Sequence, residues 1–77
     1  MAPLLLDIEL FGIFAQGRQP RQSLVLERPL TAGEVATRLE LSMEAIGLIV
    51  VDGVQTEPEY LITKNCRVCF FPHMSGG

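Results

Sequence analysis

The chain has 77 residues, 48% of them hydrophobic, and carries nine acidic against six basic side chains for a net charge of −3. This length predicts one globular domain near the lower size limit of a self-supporting core, with too little chain to enclose a large substrate pocket. The basic residues form no stripe, and no run approaches the roughly 20 apolar residues of a membrane span. We therefore expect neither a nucleic-acid partner nor a membrane partner.

The first segment predicts a strand over residues 4–11. Leu6, Ile8 and Leu10 alternate with a mostly polar set that ends at Phe11, which gives one apolar face. The segment lacks a basic start and contains acidic residues, so it is not a signal peptide, and a cytoplasmic location is expected. A polar loop over 15–22 and a second strand over 23–27 complete an antiparallel hairpin.

The middle of the chain predicts one short helix. Thr31 and Glu34 form a T-x-x-E capping box, and Val35 and Leu39 lie one turn apart on an apolar stripe over residues 32–40. A helix of this length needs a sheet to pack on.

The second half of the chain predicts further strands. The apolar run 48–51 is typical of an interior strand, and Asp52-Gly53 is a hairpin-turn signal. Lys64-Asn65 predicts another turn, because asparagine tolerates positive φ. The last strand covers residues 66–71 and is ended by Pro72. The expected architecture is α+β, with a domain over 1–71 and a flexible tail over 72–77.

Cys66 and Cys69 form a C-x-x-C pattern that we interpret as structural. An offset of three on a strand sends the two thiols to opposite faces, which suits neither a disulfide nor shared metal coordination. We expect reduced, unpaired cysteines and no metal site. His73 is the one histidine, and no nucleophile pattern accompanies it. We interpret it as a surface residue of the tail and expect no enzyme acting alone.

The end of the chain is the strongest functional signal. Strand parity turns Phe71 outward, where it either binds a partner or packs against Phe11; the two are compatible. Gly76 and Gly77 have no side chains, so they could enter a channel that is too narrow for other residues. The group presented there would be the carboxylate of Gly77.

The residues from Asp52 to Gly77, and most of all "FFPHMSGG", resemble the closing pattern of the MoaD/ThiS sulfur-carrier family. Members show an Asn-Gly turn, a Leu-x-x-Gly-Asp-x-Val segment and an aromatic-Pro-Pro-x-Ser/Ala-Gly-Gly end. The order of strands and helix also resembles that family's β-grasp (ubiquitin-like) fold, which implies a mixed sheet of four to five strands packed on one main helix. The opening "IELFGIFA" resembles the MoaD side of the family, the small subunit of molybdopterin synthase.

This resemblance implies a carrier rather than an enzyme. A MoeB/ThiF-like adenylating enzyme would use ATP to activate Gly77, so ATP serves the partner and no cofactor is bound to the carrier. A thiocarboxylate at Gly77 would then donate sulfur to a pterin precursor on a MoaE-like large subunit. Gly76 would provide clearance, and the partner-binding residues would be Phe71, Pro72, Phe11, Met74 and Ser75.

Three departures from the family pattern leave the branch open. Asp52 replaces the usual Asn, Asn65-Cys66 replaces Gly-Asp, and His73-Met74 replaces the common Pro-Val. A tungsten-cofactor carrier and a ThiS-like carrier for thiamine thiazole synthesis remain alternatives. So do a ubiquitin-like modifier conjugated through Gly77 and an interaction domain whose Gly-Gly is incidental.

Overall fold

A computed structural model of the chain describes residues 2–73. It contains seven strands and one α-helix within that range, together with short 3-10 turns at Gly12–Ala15 and Met43–Ala45. The elements in chain order are β1 (Leu4–Leu10), β2 (Arg21–Leu26), β3 (Leu30–Thr31), α1 (Ala32–Arg38), β4 (Ile46–Val51), β5 (Val54–Thr56), β6 (Leu61–Ile62) and β7 (Cys66–Pro72).

The predicted hairpin of β1 and β2 is confirmed, with Leu6 opposite Leu24 and Ile8 opposite Gln22. The alternation in β1 is confirmed too, because Leu6, Ile8 and Leu10 are all buried. The sequence did not predict the 3-10 turn after β1, which buries Phe14 in the core. A helical turn of four residues is too short to leave a periodic pattern.

Helix α1 begins with the predicted capping box. The main-chain N–H of Glu34 donates to the Thr31 hydroxyl at 3.1 Å, and the Thr31 N–H donates to the Glu34 carboxylate at 2.8 Å. The helix ends at Arg38, two residues earlier than predicted, and Glu40 then adopts a left-handed φ of 62°. Its buried face includes Val35, so the helix packs on the sheet through a narrow apolar stripe.

The tight turn between β4 and β5 is confirmed at Asp52 and Gly53, whose φ angles are 49° and 81°. Positive φ at both central residues is what a two-residue hairpin of this twist requires. Asp52 also fixes the turn to β7, since its Oδ1 accepts from the Arg67 N–H at 2.9 Å and its own N–H donates to the Arg67 carbonyl at 2.9 Å.

The main sheet is mixed, with the order β2-β1-β7-β4-β5. β1 and β7 lie side by side and parallel, while β4 is antiparallel to β7. Val68 and Phe70 of β7 are fully buried in the core beneath α1, as strand parity predicted. The α+β architecture with five strands and one main helix is therefore confirmed. None of the helices in residues 2–73 has the length and apolarity needed to cross a bilayer.

Two features between β5 and β7 differ from prediction. Residues Leu61–Ile62 form β6, which pairs with β3 in a small second sheet that the sequence did not indicate. The chain bends at Lys64, as predicted for Lys64-Asn65, but Asn65 does not adopt the positive φ that asparagine tolerates. Asn65 instead turns its side chain to the sheet, where its Oδ1 accepts from the Leu5 N–H at 2.8 Å.

Candidate functional site

The candidate site lies where β7 ends, because the chain passes from here to Gly76-Gly77. β7 runs between β1 and β4, and both neighbours hold it by main-chain hydrogen bonds. Its buried face anchors the strand through Val68 and Phe70, each with 0% exposure. The opposite face carries Phe71. The end of the strand is thus fixed by the core before the chain leaves the body.

The outward-facing Phe71 stacks on Phe11, the residue that follows β1. The two ring centroids are 4.3 Å apart and the rings are tilted by only 9°. Both side chains remain half-buried, so each keeps an accessible part. The predicted packing of Phe71 against Phe11 is confirmed, and the pair forms an apolar platform on the outer face of the sheet.

A groove of about 430 Å³ opens beside this aromatic platform. Leu48 lies across from Phe71 on β4 and supplies one apolar wall, while Pro72 and His73 border the groove at the strand end. Gly12 closes the other side with a φ of 60°, which turns the chain sharply after Phe11. The lining is mainly apolar, as expected of a surface that binds a protein segment.

The structure corrects the predicted end of the last strand from Phe71 to Pro72, which lies opposite Ile46. His73 is also bonded, because its N–H donates to the Ala45 carbonyl at 3.0 Å. Proline has no N–H to donate. It is tolerated at this position because the position lies at the end of the strand, beside an irregularity in β4.

Gly47 makes this extension possible. A Cβ at Gly47 would lie 2.9 Å from the Cα of His73 and 3.0 Å from the Pro72 carbonyl oxygen, both main-chain atoms. Only glycine lets the two backbones approach so closely. The sequence contained this glycine, but nothing in its local pattern indicated that the chain end lies against it.

Met74, Ser75, Gly76 and Gly77 lie outside the described residues. The roles predicted for them stay predictions, as does the proposed flexibility of residues 72–77. Of the predicted partner-binding residues, the structure brings together Phe11, Phe71 and Pro72 around one groove.

Next to the aromatic platform the outer face of the sheet becomes charged. The guanidinium of Arg67 donates to one carboxylate oxygen of Asp7 through Nε at 3.2 Å and Nη2 at 3.0 Å. Arg21 lies 3.8 Å from the same oxygen. The hydrogen bonds that Arg67 donates to Asp7 raise the pKa of Arg67, which stays charged at any physiological pH. A polar border around an apolar patch is typical of protein interfaces.

The two cysteines lie on opposite faces of β7, as strand parity predicted. Cys66 packs against the core and Cys69 lies on the outer face, and neither forms a disulfide. Burial raises the pKa of both thiols, with smaller contributions from Asp52 at Cys66 and Glu9 at Cys69. Thiols with raised pKa values are weak nucleophiles at neutral pH. Within residues 2–73 no cluster of side chains could hold a metal ion.

Comparison with known proteins defines the fold. No family model matches the sequence, and no curated protein matches it significantly. The crystal structure of SAMP1 from Haloferax volcanii superposes with a TM-score of 0.72 at 17% identity, covering 95% of this chain and 99% of that one. The solution structure of the Haloferax volcanii HVO 2177 protein gives a TM-score of 0.77 at 18% identity, covering 97% and 88%. The fold is therefore an α+β, ubiquitin-like β-grasp, as the resemblance implied.

Proposed function

We propose that this protein is a sulfur carrier whose Gly77 is converted to a thiocarboxylate that supplies sulfur for molybdopterin, the organic part of the molybdenum and tungsten cofactors. Partner enzymes would perform the chemistry. The observation that carries this proposal is the end of β7, where a stacked aromatic pair and Pro72, five residues before Gly77, border an apolar groove.

The length of chain between His73 and Gly77 suits a terminal carboxylate that enters another protein's active site. Four residues beyond His73 can extend at most about 14 Å. That is enough to reach into a partner that is docked on the groove, and too short for a partner bound at the far end of the sheet. Gly76 adds no side chain to that path. Groove and Gly-Gly motif would therefore work as one unit.

The proposed chemistry has two steps. The Gly77 carboxylate attacks the α-phosphate of ATP, which gives an acyl-adenylate and releases pyrophosphate. A hydrosulfide equivalent then attacks the acyl carbon and displaces AMP, which leaves a thiocarboxylate. The described residues offer neither a metal cluster nor a reactive thiol for these steps. A MoeB/ThiF-like enzyme would supply the nucleotide site, and a MoaE-like subunit would bind the pterin that receives the sulfur.

Both partners would dock on the aromatic platform and its groove. Burying the accessible parts of Phe11, Phe71 and Leu48 removes apolar surface from water, at about 25 cal/mol per Å². The proposal assigns Pro72, Met74 and Ser75 to the same interface.

The test is activation in vitro followed by intact-mass measurement. The purified chain is incubated with ATP, a MoeB/ThiF-like enzyme and sulfide, and the expected product has one oxygen replaced by sulfur. A variant lacking Gly76 and Gly77 should gain no sulfur, while Ser23→Ala, on a distant strand, should react like the parent chain. Unchanged mass with an enzyme that activates its own known carrier would refute the proposal.

A ubiquitin-like modifier is the second candidate. The β-grasp body, shared with SAMP1 over 95% of this chain, favours it because carrier and modifier would use the same activated C-terminus. A modifier would form isopeptide bonds between Gly77 and lysine side chains of other proteins, which peptide mapping detects. Transfer of sulfur to a thiazole precursor rather than a pterin would instead identify the ThiS-like alternative.

A further inference from the structure

Strand β2 forms a free edge of the main sheet. Over residues 2–73 its only strand partner is β1, and with six residues it is longer than the opposite edge strand β5, which has three. The Leu10 N–H donates to the Pro20 carbonyl at 2.7 Å, which continues the register of the hairpin. Bonded and non-bonded pairs alternate in antiparallel sheets. The main-chain N–H and C=O groups of Arg21, Ser23 and Val25 therefore face away from β1.

A groove of about 410 Å³ lies between this edge and helix α1. Leu24 and Leu39 line it, and both are half-buried side chains packed against the core. A strand added along β2 would place every second side chain over Leu24 and Leu39, the apolar part of a lining that is otherwise polar. Edge and groove together offer main-chain hydrogen bonds and one apolar contact surface, the two requirements of peptide binding by strand addition.

The charge of this region is opposite to that of the chain. Arg18 and Arg38 line the groove, and Arg28 lies beside Arg38 in the adjoining hollow. None of the three has a carboxylate within 4.0 Å in the described part of the chain, although Glu40 borders the groove and Glu34 shares the adjoining hollow with Arg28. Nη2 of Arg18 donates to the Glu40 carbonyl at 3.0 Å. Nη1 of Arg38 donates to the Val25 carbonyl oxygen at 3.5 Å, so this acceptor of the edge is already bonded to an arginine. Half of the six basic side chains of an acidic protein thus lie here, against two acidic side chains.

We propose that β2 binds an extended acidic segment of another protein as an additional strand. Main-chain groups of the segment bond to Ser23 and Val25, and an apolar side chain covers Leu24. A carboxylate of the segment pairs with Arg38 and draws it away from the Val25 carbonyl. This surface would be independent of Gly77, so the chain could hold a partner at one edge while its C-terminus reacts elsewhere.

The test uses a fluorescent peptide of about six residues with a valine centre and a glutamate at each end, matched to the length of a strand. Fluorescence anisotropy should show saturable binding that weakens as salt increases. Amide signals of Ser23 and Val25 should shift in NMR spectra, and signals of β5 should not. Arg38→Ala and Arg18→Ala should each weaken binding roughly two- to fivefold. Lys64→Ala, which removes a charge from a different groove, should leave binding unchanged.

A modified peptide tests the main-chain bonds without altering the protein. Methylating every second peptide nitrogen on the edge-facing side should abolish binding, whereas methylating the alternate set should preserve it. Equal effects of the two peptides would overturn the proposal, as would binding that Arg38→Ala leaves intact. Sedimentation showing that β2 is occupied by a second copy of this chain would overturn it too. Deleting Gly76 and Gly77 should not change peptide affinity, so this result is separate from the test of sulfur transfer.

Discussion

The stacked pair Phe11 and Phe71 allows a quantitative test of how the candidate site is built. Truncating either ring to alanine removes its own partial burial, about 1 kcal/mol for a half-buried side chain. It also removes the stacking, about 1 kcal/mol for rings in this arrangement. Each single variant should therefore lower the free energy of unfolding by about 2 kcal/mol, from the sum of these contributions.

The double variant should cost about 3 kcal/mol rather than 4, because the stacking can be lost only once. The coupling energy of the cycle is then about 1 kcal/mol. Phe71→Leu keeps most of the apolar contact while removing the stacking, so it should lose about 1 kcal/mol. Urea unfolding followed by circular dichroism gives all four values. Single-variant effects that add to within about 0.3 kcal/mol would show that the rings do not stabilise each other, and would refute the reasoning.

Three further predictions follow from individual contacts. Gly47→Ala should destabilise the protein by about 1–3 kcal/mol, because the added Cβ meets the backbone of His73. Hydrogen exchange should speed up more at the His73 amide than at amides of the core. Equal acceleration at all amides would contradict a local clash. Asp52→Ala should lower the free energy of unfolding in urea by about 1–2 kcal/mol, because it loses the hydrogen bond to β7 and because alanine tolerates positive φ poorly. Asp52→Asn should be nearly neutral. Equal losses for the two variants would disprove this account. The Thr31 N–H lowers the pKa of Glu34, so this carboxylate stabilises the fold at neutral pH and the contribution disappears as the pH falls through its lowered folded pKa. Thr31→Ala keeps that N–H but removes the hydroxyl that also donates to Glu34, so an NMR titration should show a higher pKa for Glu34 in the variant. An unchanged pKa would contradict the assigned geometry of the capping box.

The sequence predicted those parts of the fold that local chemistry determines. Alternation in β1, the capping box at Thr31 and the Asp52-Gly53 turn each depend on neighbouring residues, and all three are confirmed. β6 was missed because two residues are too few for a periodic pattern, and its pairing with β3 depends on tertiary structure.

The candidate site was predicted only in part, because some of its residues are brought together by long-range contacts that no local pattern indicates. Parity along β7 predicted that Phe71 faces outward, and Phe11 was predicted as its packing partner on the outer face of a neighbouring strand. The groove itself required Gly47 and Leu48 from β4, whose approach to β7 is a long-range contact. The bond from His73 to Ala45 likewise depends on which strands become neighbours, which no local pattern indicates.

The position of the transferred sulfur tests the central claim most directly. After activation, tandem mass spectrometry of the C-terminal peptide should place one oxygen-to-sulfur exchange at Gly77, and a variant carrying Cys66→Ala and Cys69→Ala should be labelled equally well. Sulfur added as a persulfide to either cysteine, with the Gly77 carboxylate unchanged, would contradict the account.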